Sequence, residues 1–113
     1  MRSEIGYSSA IMQPQLIDSI VKVLCRVATV HGEQVPSFEL ATERVAEGLA
    51  RYFDALEAGL VTPREAAYGV TARFASWLER SSGRSSIGSE PYWEQAVDEL
   101  ESVLRHATQS PDR

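Results

Sequence analysis

Few side chains in this sequence are suited to catalysis, and their spacing gives most of them a scaffolding role. The two histidines, His31 and His106, fall near expected helix ends, where an imidazole commonly meets the free carbonyls of the last turn. Cys25, the single cysteine, stands in an apolar run, whereas a reactive thiolate needs an electropositive, partly exposed setting. Arg26 follows it but points elsewhere on a helix. The sequence has no Glu-x-x-His pair of the kind that builds carboxylate di-metal centres. It also lacks His-Glu-x-x-His, a phosphate-cradling Gly-x-x-x-x-Gly-Lys and Cys-x-x-Cys. No enzyme, metal or cofactor is expected.

The carboxylates carry more information. Between Ser37 and Leu60, Glu39, Glu43, Glu47, Asp54 and Glu57 fall within an arc of roughly 80° at about 100° per residue. Like charges four apart disfavour a helix by about 0.2–0.5 kcal/mol per pair, so this stripe does not serve helix stability. A second acidic face runs through Glu90, Glu94, Asp98, Glu99 and Glu101, with no base before Arg105. One use of such faces is solubility. The other is complementarity to a cationic partner, where opposed potentials speed association and select the partner. The candidate partner-binding residues are therefore Glu39, Glu43, Glu47, Asp54 and Glu57, followed by Glu94, Asp98 and Glu101. Tyr68, Tyr92 and Trp93 would serve as aromatic anchors wherever they face outward.

The totals narrow the partner. The 113 residues carry 16 acidic and 11 basic side chains, a formal charge of −5. That balance opposes direct binding to nucleic acid or to an anionic membrane. Arg64, Arg73, Arg80 and Arg84 make a modest basic edge, read here as neutralising nearby acids. A lone cysteine precludes an internal disulfide framework, and no stretch approaches the ~20 apolar residues of a membrane span. A cytoplasmic location is expected.

The elements that position these groups are helices. Pro14 suits a first helical turn, and the apolar residues from Leu16 to Val30 nearly encircle the helix, which predicts a central position before Gly32 ends it. Ser37 caps a second helix, whose inner face is Phe38, Ala41, Val45, Leu49, Tyr52, Phe53, Leu56 and Leu60. Leu40 lies outside that arc. Thr62-Pro63-Arg64-Glu65 is a capping signature for a third helix, running to about Arg80, with Ala67, Val70, Phe74, Trp77 and Leu78 inside. Gly69 within it is expected to permit close helix packing. Pro91 opens a fourth helix, with Trp93, Ala96, Val97, Leu100, Val103, Leu104 and Ala107 as its inner stripe. The expected organisation is an arm over 1–12, a single helical domain over 13–108 and a frayed tail over 109–113. Residues 81–89 read as a flexible linker that offers little to bury. The fold class is all-α, a compact bundle or array of four principal helices.

Small acidic helical chains of this kind resemble, in physical type, toxin-neutralising immunity proteins and phage-encoded inhibitors of bacterial nucleases or defence complexes. That resemblance implies a stoichiometric inhibitor covering a basic protein or nucleoprotein surface. The alternatives are a self-associating adaptor or subunit, such as a homodimer using Leu40, and a small-ligand sensor with a pocket near Trp77 and Trp93.

Overall fold

Local signals decide where each helix starts and stops. The computed structural model describes residues 14–108, so the expected arm at 1–12 and tail at 109–113 lie outside the described residues. Four helices follow in order: α1 Pro14–Val30, α2 Phe38–Glu57, α3 Pro63–Ser82 and α4 Trp93–Thr108, with a 3-10 turn at Ile87–Ser89. No strand occurs among the described residues, and the fold is all-α. The Ser37 hydroxyl accepts the Leu40 amide at 3.2 Å and starts α2. Both halves of the Thr62–Glu65 capping box form: Thr62 N–H donates to Glu65 Oε1 at 2.8 Å, and Glu65 N–H donates to Thr62 Oγ1 at 3.0 Å. Gly59, at φ 77°, turns the chain out of α2 while Leu60 N–H reaches back to Ala55 O at 2.8 Å.

The helices close into a ring, in which α1 and α3 each pack against both α2 and α4. Paired contacts give their directions. Tyr52 meets Gly69 while Gly48 lies beside Arg73, so α2 and α3 are antiparallel. Phe74 meets Trp93 while Arg64 reaches Asp98 and Glu101, so α3 and α4 are too. The first turns of α1 and α2 border one shallow cleft, Pro14, Ile17 and Asp18 together with Phe38 and Thr42. The four helices form a compact all-α bundle or array.

The core is built from the expected faces. Ile20, Leu24, Leu49, Phe53, Phe74, Leu78, Leu100 and Leu104 are fully buried, and removing each such side chain from water is worth about 1.5–3 kcal/mol. Phe74 sits between the two indoles, its ring centre 5.5 Å from Trp77 and 6.1 Å from Trp93. A Cβ on Gly69 would collide with the Tyr52 ring, so the close helix approach expected there is present.

Besides Ala107, which is exposed at the end of the α4 stripe where an inner position is expected, three expectations differ from the structure. First, α1 is not enclosed among the described residues: Ser19, Lys22 and Arg26 form an outward side, while α2 and α4 pack on the rest of the helix. Second, Phe38 and Leu60 at the ends of the α2 stripe are 52% and 78% exposed. Third, the segment 81–89 does bury a side chain. Ile87 is inside the core, its carbonyl accepts the Trp93 indole N–H at 2.8 Å, and Glu79 accepts the Gly88 amide. The first two residues of the segment also belong to α3.

Candidate functional site

The α2 stripe emerges as a surface. Glu39, Glu43, Glu47, Asp54 and Glu57 are all exposed, because the opposite side of the helix carries Val45, Leu49 and Phe53 into the core. Only Glu47 has a cationic partner among the described residues, Arg44 one turn earlier at 3.2 Å. Leu40, 42% exposed, lies beside the same carboxylates.

The carboxylates of α4 are placed differently. Arg64, at the start of α3, bonds Asp98 at 2.8 Å and Glu101 at 3.0 Å, and these bonds hold its guanidinium still more firmly protonated. Glu101 also accepts Arg105, and Glu99 accepts Arg26 across from α1. Of this face, Glu90 and Glu94 alone have no ion-pair partner among the described residues. The free negative field therefore concentrates on α2 and at the start of α4.

The arginines divide. Arg64 and Arg84 neutralise acids, as the sequence reading holds, with Arg84 bonding Glu33 at 2.9 Å. Arg73 and Arg80 have no acidic partner among the described residues and join Arg44, Glu47 and Ser76 around an open cleft of about 270 Å³ between α2 and α3.

One buried polar group was not legible in the sequence. Glu33, 8% exposed in the α1–α2 connection, accepts Arg84 on one oxygen and the Tyr92 hydroxyl, at 3.0 Å, on the other. His31 stacks flat on the Tyr92 ring at 4.3 Å. Burial, then the hydrogen bond to Glu33 and its negative charge, pushes the Tyr92 phenol up to about 12. Both Glu33 carboxylate oxygens are satisfied, so the cluster ties the connection to the segment before α4. His106 contacts the Ser102 carbonyl at 3.1 Å, one turn earlier on α4. Cys25 is half-buried, and burial pushes its thiol up, away from the thiolate a nucleophile needs.

Of the three aromatic anchor candidates, only Tyr68 faces outward, at 66% exposure; Trp93 is core and Tyr92 half-buried. Tyr68 overhangs a cleft of about 380 Å³ between α3 and the start of α4, which Thr71, Glu90, Pro91, Trp93 and Glu94 also line. Thr71 is 2% exposed, and its hydroxyl is the only buried side-chain polar atom without a hydrogen-bond partner among the described residues. Leaving such a group unpaired costs about 1–3 kcal/mol.

Among the described residues no cluster of three or more histidine, cysteine or acidic side chains is placed to hold a metal. Among them no helix is long and apolar enough to cross a membrane. What fold and surface define together is an all-α domain with an acidic face of which only Glu47 is paired among the described residues. No protein-family model, curated protein or solved structure matches the chain.

Proposed function

We propose that this protein binds another macromolecule stoichiometrically, as an inhibitor or immunity-type protein that covers a basic surface of a cytoplasmic protein or nucleoprotein. The observation that carries the reading is the charge state of α2: five exposed carboxylates on one face, of which only Glu47 is paired among the described residues. Unpaired surface charge of one sign costs stability through self-repulsion and repays it by steering an oppositely charged partner. Leu40 supplies an apolar contact within that face, and the steering charges around it set the association rate. Asp98 and Glu101, held by Arg64, contribute less than the α2 group.

The test is a tagged pull-down from lysate of the native host, washed at low and then high salt, with the eluate identified by mass spectrometry. The expected result is one basic protein, released by salt, whose association with the Glu39→Lys/Glu43→Lys variant is slower by roughly tenfold or more at low salt. Equal capture by the parent and the variant at both salt concentrations overturns the reading.

The exposure of Phe38 and Leu40 favours a second reading, self-association through the first turn of α2. Mass in solution distinguishes it: a dimer that Leu40→Glu dissolves would displace the inhibitor reading.

A further inference from the structure

The cleft between α3 and the start of α4 combines features that the rest of the surface lacks. Its lining includes two carboxylates, Glu90 and Glu94, and no basic side chain. Neither glutamate has an ion-pair partner among the described residues, although the carboxylates further along α4 are held by arginines. Tyr68 stands at the rim, largely exposed. Trp93 forms part of the wall but is buried, and its indole N–H is already bonded to the Ile87 carbonyl at 2.8 Å, so it offers the cleft no free donor and the open aromatic surface is that of Tyr68. Thr71, also in the wall, has the unpaired hydroxyl. The volume of about 380 Å³ falls within the roughly 300–1,000 Å³ typical of ligand pockets.

We infer that this cleft is an anchor pocket for an arginine side chain of the protein partner. A guanidinium is planar and weakly hydrated, stacks on aromatic faces and carries five N–H donors with no acceptor. Those properties match aromatic surface, two unpaired carboxylates and a hydroxyl lacking a partner. A phosphate or carboxylate ligand meets only like charge here, and an apolar ligand leaves the carboxylates unanswered. The inference rests on the proposed function for the source of the arginine, and it adds a second contact region to the α2 stripe.

The experiment uses the full chain labelled with ¹⁵N and follows the two indole N–H resonances, one for each tryptophan. The probes are acetyl-Gly-Arg-Gly-amide, the same peptide with neutral citrulline in place of arginine, and butylguanidinium as a free organic cation. The arginine peptide should shift the Trp93 resonance saturably, with a Kd on the order of 1 mM, as suits one side chain outside its full interface. Trp77, which does not line the cleft, should not respond. The citrulline peptide should bind at least about tenfold more weakly, and Glu90→Gln/Glu94→Gln should weaken the arginine peptide by a similar factor. Glu94 is exposed and Glu90 half-buried, and neither has an ion-pair partner among the described residues, so the neutral variant keeps the helical circular dichroism of the parent.

Absence of saturation, or equal binding of the citrulline peptide, overturns the inference. Butylguanidinium binding as tightly as the peptide overturns the peptide source and makes the cleft a site for small organic cations. Glu39→Lys/Glu43→Lys leaves this titration unchanged, so failure of the cleft and failure of the α2 reading are separate results.

Discussion

The Tyr52 ring lies against the bare backbone of Gly69, so α2 and α3 meet there through an aromatic side chain packed where no Cβ intervenes. Alanine is favoured over glycine inside a helix by about 1 kcal/mol. Gly69→Ala should therefore stabilise a Tyr52→Ala background by about 1 kcal/mol, because the added methyl then meets open space. In the parent the gain should vanish or reverse, since the methyl displaces the ring. Urea denaturation of the four proteins in this cycle measures the coupling. Equal increments in both backgrounds would show that the ring moves aside at no cost.

Ile87 is the test of order in the serine-rich segment. It is 1% exposed, and truncating a buried isoleucine costs about 2–5 kcal/mol. Ile87→Ala should lower stability by that amount, whereas Ser85→Ala, exposed two residues earlier, should change it by less than about 0.5 kcal/mol. Equal effects would mean that the segment is detached from the core.

Thr71→Val removes a buried hydroxyl that bonds nothing and replaces it with a methyl group of nearly the same shape. Stability should rise by about 1 kcal/mol, seen as a melting temperature higher by roughly 4 °C. A loss of similar size would show that a bound water satisfies the hydroxyl.

Tyr92 gives a prediction at alkaline pH. Its phenol is pushed up to about 12 in the folded protein, against about 10 for an unhindered tyrosine in the unfolded chain. A raised value means the folded state favours the neutral form. That contribution is complete below pH ~10 and is lost as pH rises towards ~12. Alkaline absorbance titration should show one of the four tyrosines ionising near 12. Glu33→Gln should lower that midpoint only in part, because burial is the larger cause. An unchanged midpoint would place the whole shift on burial.

What the sequence made legible is what acts over a few residues. The capping oxygens of Ser37 and Thr62, the proline at the start of α3 and the apolar period of each helix located all four helices and most of the core. The carboxylate stripe of α2 was equally plain, since it depends only on spacing along one helix. Glu33 was not, because its partners Arg84 and Tyr92 are 51 and 59 residues away. Separations of 34 and 37 residues likewise concealed Arg64 holding Asp98 and Glu101, so the two acidic faces looked alike until folding paired part of the second. Ile87 was hidden by its serine and glycine neighbours, whose composition says nothing about a single apolar side chain finding the core. Thr71 carries no local signal at all.

The ring of helices also sets a clock. Because α1 packs directly on α4, the core cannot close until the last helix has been synthesised and released. At about 5–20 residues per second, the span from Val30 to Thr108 takes roughly 4–16 s to translate. For that interval the apolar side of α1 that packs on α4 in the folded protein has no partner within its own chain.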